Sequence, residues 1–350
     1  MDTKSIAYTL IIVNLTFTGF ILYLNEFSPF KINQIKEQIM TILIVTHQRG
    51  FEADPVIDRL KTLGHAFFRL NQDEGEIISQ YSFLHTCNQE KIILTNDGRT
   101  IEVGKIASAW FQQPPPFTGQ PGNLEETLQR NNLGSFLEAV LDLSSARWLN
   151  KPSNLLRASN KILQLHFAPK VGLTIPDTII SNSPTAIRNF LSKGPAIVKN
   201  LNSPWVSEGN DTIISYTELV NDSWTQDEES MLFCPLIYQK FIRRKHDYRV
   251  VMLGDNVFVC RCDSEKGDIF DVRKKNDTGS NFYESKISSE QTLKLKMLMN
   301  IFGVNYCSAD FIEDYSGKIY FLEMNLCGAW WWMDRILHGR ILDAFVKQLV

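Results

Sequence analysis

The sequence predicts an α/β protein in which a parallel sheet comes first and regions that mix helices with antiparallel hairpins follow. Three observations predict this class. Residues 41–46 form an uninterrupted, largely β-branched apolar run, typical of a strand buried on both faces, and a helical pattern follows them. Residues 247–262 and 308–325 each contain two apolar segments separated by a tight polar turn. A chain of 350 residues is long enough for two or three domains with cores of their own.

Composition and charge narrow the class of function. The chain is 44% hydrophobic and 21% charged, as in folded globular proteins. Its net charge of −3 gives no sign of a general nucleic-acid binder, so we expect no nucleic-acid partner. The six cysteines include no C-x-x-C pair, which argues against a structural zinc site or a disulfide framework and fits a reducing cytosol.

Residues 1–39 differ from the rest of the chain. Residues 6–24 include no charged side chain, and this stretch is close in length to a membrane-spanning helix. The polar residues Thr9 and Asn14 interrupt its apolar character. Three interpretations compete: a membrane anchor, an interfacial helix, or upstream sequence included by a wrong start. The last is favoured because Met40 directly precedes the first buried strand. We expect a cytoplasmic protein, or one anchored at its N-terminus with the catalytic domain in the cytosol.

An N-terminal α/β lobe is predicted over residues 40–147. After the first strand, Asp54 is expected to cap a helix that has Pro55 at its first position and that Gly64 ends. The remaining elements are a strand, a hairpin, a further strand and a helix, expected at residues 66–70, 91–103, 106–111 and 123–145. No G-x-G-x-x-G is present, so dinucleotide binding is not indicated.

A central lobe, predicted over residues 148–240, contributes two lysines. Ser159 or Asn160 is expected to cap a helix whose first residue is Lys161. A cation there is unfavourable to the helix dipole, so Lys161 either meets an anion or lies in solvent. Lys199 ends a short apolar strand and is expected to face a pocket, because lysine is rarely buried unpaired.

Two arginines and a polar loop add to the anion-binding character. The polar loop at residues 202–210 is of a kind that closes over phosphate groups through backbone N–H groups. A strand at residues 233–242 is followed by a basic run at 243–249, which is too short and too poor in aromatic residues to indicate a nucleic-acid surface. Arg249 in a strand and Arg273 in an extended stretch would clamp phosphate oxygens, or each would form a surface ion pair.

The C-terminal lobe, predicted over residues 241–350, carries the candidate metal ligands. The hairpin at residues 308–325 bears Asp310, Glu323 and Asn325. Two carboxylates and an amide oxygen suit Mg²⁺, which takes hard oxygen ligands and leaves coordination positions for phosphates. The alternative is an ordinary hairpin with solvated acidic residues.

The register of this hairpin decides whether the ligands share a face. Side chains alternate along a strand, so a pairing of Asp314 with Gly317 would place Asp310 opposite Phe321, diagonal to Glu323 on the same face. A turn with an odd number of residues would put Asp310 on the opposite face and break the site.

The order of these motifs resembles that of the ATP-grasp ligases. Within them it resembles the RimK-like enzymes that macrocyclise ribosomal peptides, the microviridin or graspetide maturases. The motifs that carry the resemblance are RASNKILQL at 157–165, AIVKN at 196–200, PLIYQKFI at 235–242, DYRVVMLGDNVF at 247–258, DVR at 271–273, and SADF and YFLEMN within 308–325. The sequence that opens at residue 41 is also similar to the N-terminal lobe of those ligases, so the resemblance covers residues 40–350.

The resemblance implies an ATP-grasp fold, ATP and Mg²⁺ as cofactors (with Mn²⁺ as a substitute), and a role for each matched residue. The implied roles are phosphate binding by Lys161 and Lys199, adenine binding by Gln239, Lys240 and Ile242, metal binding by Asp310, Glu323 and Asn325, and stabilisation of the phosphoryl group by Arg249 and Arg273. The implied reaction activates a carboxylate as an acyl phosphate and forms esters or amides within a precursor peptide whose leader docks on the enzyme, which is expected to be a homodimer.

Two departures from the family pattern stand beside this resemblance. The family reads E-[ILM]-N-P-x-G-Q-W after the metal strand, whereas this chain has Leu326 in place of the Pro and Ala329 in place of the Gln. The family also often has paired arginines where this chain has Gln112-Gln113. The metal ligands are intact, so the departures bear on the acceptor or the leader.

Two other functions stay open from the sequence. One is a RimK-like ligase that joins an amino acid or amine to a carboxylate of a protein or small molecule. The other is a nucleotide-binding protein without turnover, tethered to a membrane if residues 6–24 are an anchor.

Overall fold

The computed structural model describes residues 41–47, 50–71, 80–96, 98–112, 124–202, 205–208, 211–214, 217–221, 224, 226–263 and 281–350. The interpretations of residues 1–39, Gln113 and Arg273 lie outside these ranges. Within them, no helix is both long enough and apolar enough to cross a membrane.

A parallel sheet of order β2–β1–β6–β7 opens the fold, as the buried β-branched run predicts. Its elements are β1 Thr41–Thr46, α1 Ala53–Thr62, β2 Phe67–Asn71, β6 Ile106–Phe111, α2 Leu124–Leu143 and β7 Arg147–Trp148. The predicted N-cap is wrong: α1 starts at Ala53 after Glu52, and the Asp54 carboxylate binds Arg69 at 2.7 Å. Gly64, with φ +77°, follows the helix end, a position at which only glycine adopts this conformation without strain.

A three-stranded antiparallel sheet lies between β2 and β6 in sequence. It comprises β3 Gln80–His85, β4 Glu90–Asn96 and β5 Arg99–Glu102. The hairpin of β4 and β5 was predicted, whereas β3 was not. All residues of β3 except the half-buried Tyr81 are exposed, so the strand has no apolar alternation to reveal it.

The central region is an antiparallel sheet of order β12–β9–β13–β8 with helices around it. Its elements are α3 Pro152–Ser159, α4 Lys161–Phe167, β8 Thr178–Ser181, α5 Pro184–Leu191, β9 Ala196–Lys199, β12 Glu218–Leu219, α6 Glu228–Phe233 and β13 Leu236–Lys240. The loop prediction for residues 202–210 is corrected, because β10 Trp205–Glu208 pairs there with β11 Asp211–Ile214. Trp205 and Val206 are strong strand formers, a signal that the polar character of the stretch outweighed.

A five-stranded antiparallel sheet of order β16–β15–β14–β17–β18 forms the last region. Its elements are β14 Arg244–Leu253, β15 Asn256–Asp263, β16 Phe282–Glu284, α7 Ser289–Phe302, β17 Tyr306–Asp314, β18 Ile319–Asn325, α8 Trp331–Ile336 and α9 Arg340–Leu349. The two predicted hairpins, β14–β15 and β17–β18, are both present and are joined through the pairing of β14 with β17.

One hydrophobic core connects the first sheet with the last. The ring of Trp110 on β6 lies 4.9 Å from that of Phe345 on α9, and Trp330 stacks on the same ring at 4.7 Å. Because all three side chains are almost fully buried, the end of β6 is held against the segment that follows β18.

Candidate active site

The β17–β18 turn is built around Asp314. Its Oδ1 accepts hydrogen bonds from the backbone N–H of Ser316 at 2.8 Å and of Lys318 at 3.0 Å, and Gly317 takes φ +85°. The last paired residues of the two strands leave five residues, 314–318, in the turn. The turn therefore has the odd length that, in a regular hairpin, would place the candidate ligands on opposite faces.

A β-bulge restores the common face. Phe311 pairs with Phe321, but the next pair is Asp310 with Glu323, so Leu322 has no partner in the register. The predicted pairing of Asp310 with Phe321 is wrong in detail. The two carboxylates lie directly opposite each other, and the extra residue lets Phe321 stay in the core while Glu323 faces outward.

Three polar side chains meet Asp310 or lie beside it on this face. Arg249 is its partner across β14–β17, with Nη1 2.7 Å from both carboxylate oxygens. Asn325 donates from Nδ2 to Glu323 Oε1 at 3.2 Å and to Asp310 Oδ2 at 3.5 Å. Burial opposes the charge of Arg249, but the Asp310 carboxylate outweighs it and raises the pKa of the guanidinium.

The two predicted lysines reach the same place. Asn160 caps α4 by accepting from the backbone N–H groups of its first turn, which leaves Lys161 as the first helical residue. Lys161 Nζ lies 3.4 Å from Glu323 Oε2 and donates to Asn200 O at 3.1 Å. Burial raises the pKa of Glu323, but the positive charges of Lys161 and Lys199 outweigh it and hold the pKa well below its usual value. The anion that Lys161 meets within the chain is therefore Glu323.

The donor set fits a divalent cation with phosphate. Within the described part of the chain, no three His, Cys, Asp or Glu side chains converge as a metal site. A metal site at this hairpin would therefore need the Asn325 amide beside the two carboxylates. Two buried polar atoms on this face, Ser308 Oγ and Arg249 Nε, have no hydrogen-bond partner among the described residues. Buried polar atoms are normally paired, so these two atoms stand out beside the carboxylates.

The predicted adenine-binding residues lie on the sheet that carries Lys199. Gln239 is buried on β13, and its Nε2 donates to Thr178 Oγ1 at 2.9 Å. Lys240 ends β13 with an exposed side chain, and Ile242 follows in the connection to β14. The pairing of β13 with β9 places Ile237 opposite Lys199, so Gln239 lies two residues along β13 from the position that faces Lys199.

A buried polar chain behind the site was not predicted. Gln112, just after β6, accepts from Thr46 Oγ1 at 2.6 Å and donates from Nε2 to Glu52 Oε2 at 3.1 Å. Burial raises the pKa of Glu52, although its own backbone N–H and that of Trp330 act to lower it by hydrogen bonding. In the sequence, Gln112 stands out as a departure from the family pattern, whereas no motif or spacing singles out Glu52.

The segment after the metal strand packs on the ligands. A Cβ on Gly328 would lie 2.6 Å from Ser308 Cβ and 3.0 Å from Asn325 Cβ, so no side chain fits there. The hydroxyl of Tyr306 donates to the Gly328 carbonyl, and Cys327 Sγ approaches Phe111 O at 3.9 Å. Cys327, in the segment after β18, thus contacts Phe111 at the end of β6, the residue before the departure at Gln112.

Comparisons with known proteins agree with this fold. A family model described as the MvdD pre-ATP grasp domain matches residues 41–154. Macrocyclase MdnB from Microcystis aeruginosa has a similar structure, with TM-score 0.73 and 27% identity over 89% of this chain and 99% of that chain. Over most of its length the chain resembles the ATP-grasp ligases. It is an ATP-dependent ligase with the ATP-grasp fold, and its predicted resemblance to the peptide macrocyclases is confirmed.

Further relatives extend the comparison. A RiPP-associated ATP-grasp ligase from Chryseobacterium gregarium, solved with ADP and a leader and core peptide, has TM-score 0.78 and 23% identity over 88% of this chain and 96% of that chain. The curated glutamate–LysW ligase ArgX from Sulfolobus acidocaldarius is 26% identical over 231 residues, which are 61% of this chain and 77% of that protein.

Proposed function

We propose that this ligase activates a side-chain carboxylate of a ribosomally made precursor peptide with ATP and joins it to an amine or hydroxyl of the same peptide. The observation that carries the proposal is the continuous polar cluster of the site, in which Lys161, Glu323, Asn325, Asp310 and Arg249 are linked by contacts of 2.7–3.5 Å. The similar structures that contain leader, core or precursor peptides support a peptide substrate.

The site residues have complementary roles in this proposal. Asp310, Glu323 and Asn325 hold Mg²⁺, and Mn²⁺ fits the same oxygen ligands. When bound, the cation neutralises the charge of the ATP phosphates. Lys161 and Lys199 bind phosphate oxygens, and the residues proposed to line the adenine site are Gln239, Lys240 and Ile242.

The reaction has two steps. An oxygen of the substrate carboxylate attacks the γ-phosphorus of ATP, and ADP leaves with the electrons of the broken bond. Arg249, together with Arg273, stabilises the negative charge on the transferred phosphoryl group. The acceptor nitrogen or oxygen then attacks the carbonyl carbon of the acyl phosphate and loses a proton, and inorganic phosphate leaves.

The proposal includes an organisation of the chain. Residues 40–147 form the pre-ATP-grasp lobe, 148–240 the central lobe and 241–350 the C-terminal lobe with the metal ligands. We propose a homodimer that works in the cytoplasm and binds the leader segment of its peptide. Contact with a membrane is proposed only if residues 6–24 form an anchor.

The test is mass spectrometry of the candidate precursor peptide encoded beside the gene, after incubation with ATP and Mg²⁺. The expected result is a loss of one or more water masses that depends on ATP and is absent with the Glu323→Gln variant. An unchanged peptide under conditions in which the enzyme forms ADP with another carboxylate substrate would contradict the proposal.

A second candidate function has an observation of its own. The similarity to a glutamate–LysW ligase favours the joining of an amino acid or amine to a carboxylate of a protein or small molecule. For that function, free amino acids stimulate ADP formation whereas the peptide does not, and the product gains the mass of the added residue minus water.

A further inference from the structure

The Asn325 amide is turned the wrong way for a metal ligand in the arrangement that the structure shows. Its Nδ2 donates to Glu323 Oε1 at 3.2 Å and to Asp310 Oδ2 at 3.5 Å, so the NH₂ group faces both carboxylates. An amide binds Mg²⁺ through its oxygen, because nitrogen-bound hydrogens repel a cation. If the three side chains hold one cation, the amide must rotate by about 180° to present Oδ1 to it.

The rotated NH₂ group then needs an acceptor. The residue directly opposite Asn325 in the β17–β18 register is Ser308, and paired residues project from the same face of a sheet. Ser308 is fully buried, and its Oγ has no hydrogen-bond partner within the described residues. A buried hydroxyl without a partner costs free energy, so its presence calls for a state in which it is paired.

Gly328 packs closely against both Ser308 and Asn325. The position of a Cβ on Gly328 would lie 2.6 Å from Ser308 Cβ, 3.2 Å from Ser308 Oγ and 3.0 Å from Asn325 Cβ. Water therefore has little room to enter between the two side chains. The serine hydroxyl is an acceptor that the β17–β18 pairing places beside Asn325.

We propose that Ser308 is a positioning residue for the metal site: its Oγ accepts a hydrogen bond from Asn325 Nδ2 when the amide turns its oxygen to the cation. In the arrangement with the NH₂ on the carboxylates, the serine hydroxyl stays unpaired. Cation binding exchanges the two amide–carboxylate hydrogen bonds for one amide–serine hydrogen bond and one oxygen–metal contact. Ser308 thereby favours the amide orientation that binds Mg²⁺. The inference rests on the proposed metal role of Asp310, Glu323 and Asn325.

The test compares Ser308→Ala with wild type in the full chain, by calorimetric titration of Mg²⁺ in the presence of saturating ADP. We expect the variant to bind Mg²⁺ about fivefold more weakly, which corresponds to a net hydrogen-bond contribution of about 1 kcal/mol. Without Mg²⁺, the unfolding temperature of the variant should equal or exceed that of wild type, because an unpaired buried hydroxyl has been removed.

Ser108→Ala is the matched control. Ser108 is also a fully buried strand serine, but its hydroxyl donates to the Leu349 carbonyl. This control should lower the unfolding temperature and leave Mg²⁺ affinity unchanged, the opposite of what is expected for Ser308→Ala.

Three results would overturn the inference. Wild-type Mg²⁺ affinity in Ser308→Ala, with Asp310→Asn showing a clear loss, leaves the metal site in place and removes the role of Ser308. Wild-type affinity in Asp310→Asn as well removes the metal site and the inference with it. A crystal structure with Mg²⁺ and ADP gives the direct readout, since Ser308 Oγ should lie within hydrogen-bond distance of Asn325 Nδ2, and any other acceptor for that NH₂ contradicts the proposal.

Discussion

Positive side chains surround the two carboxylates of the candidate metal site. Arg249 binds Asp310 with Nη1 2.7 Å from each oxygen, and Lys161 lies 3.4 Å from Glu323. Buried carboxylates are stable only when they are paired, so these cations keep both groups ionised. Positive charge also favours the binding of ATP phosphates. The side chains that stabilise the carboxylates are therefore the ones proposed to bind the nucleotide.

Removing either metal carboxylate should stop catalysis. We expect Asp310→Asn and Glu323→Gln to lower the rate of ADP formation by about 10²-fold or more, since each replaces a charged ligand at the site where phosphoryl charge develops. Circular dichroism checks that the fold survives. Asp58→Asn is the control, because this side chain is 72% exposed and its ion pair is with the neighbouring Lys61 on α1. Wild-type turnover in either site variant contradicts the assignment.

Glu52 should make the free energy of unfolding depend on pH. Burial raises the pKa of this carboxyl above its ordinary value of 4.5, so the folded state holds its proton to a higher pH than the unfolded state does. Between these two pKa values the folded state binds more protons, and the stability from this group falls as the pH rises.

The Glu52→Gln variant tests the contribution of this carboxyl to the pH dependence of stability. We expect the difference in unfolding temperature between variant and wild type to move in favour of the variant as the pH rises from 4.5 toward neutrality. Thermal unfolding of both proteins at several pH values measures it. A difference that is constant across this range would show that the carboxyl ionises alike in the folded and unfolded states.

At the scale of the element, the β17–β18 hairpin depends on two glycines for different reasons. Gly317 is required by its backbone, since φ is +85° and nothing lies within 4 Å of where a Cβ would be. Gly328, just beyond the hairpin, is required by space, since a Cβ would meet Ser308 and Asn325. Gly317 therefore allows the turn conformation, and Gly328 allows the close packing around Ser308 and Asn325.

Alanine at these two positions should separate stability from activity. Gly317→Ala should cost about 1 kcal/mol of unfolding free energy and leave Mg²⁺-dependent ADP formation unchanged. Gly328→Ala should reduce that activity by about 10²-fold, because a small displacement of a ligand is costly to catalysis. Chemical denaturation and ADP release measure the two effects. Equal activity in the two variants contradicts the role of Gly328.

At the scale of the whole molecule, the buried core ties the first sheet to the metal region. Trp110, Trp330 and Phe345 form one aromatic group, and Glu52 accepts a hydrogen bond from the Trp330 N–H. Contacts from β1, β6 and α9 thereby fix the segment that follows the metal strand. Gln112 and Trp330, which are far apart in sequence, are thus joined through Glu52.

A chain of residues 40–350 should fold and act as an enzyme by itself. Among the described residues, the four buried clusters all lie between Ile42 and Leu349. We expect the truncated chain to unfold cooperatively and to form ADP at the rate of the full chain. Loss of activity in a folded fragment would show that residues 1–39 take part in function.

The sequence by itself determined the residue types of the site, their order and most of the local structure. The cap at Asn160, the αL glycine after α1 and the two C-terminal hairpins follow from local chemistry, which acts over a few residues. The exposed strand β3 was missed, because a strand without a buried face leaves no periodic signal.

Only the tertiary structure decided how those residues meet. An odd turn predicts opposite faces for Asp310 and Glu323, and the bulge at Leu322 reverses that result. The pairing of Arg249 with Asp310 and the chain from Gln112 through Glu52 to Trp330 join strands and segments that are distant in sequence. Such contacts depend on strand register and on packing across the whole core, and no local pattern of residues encodes either of them.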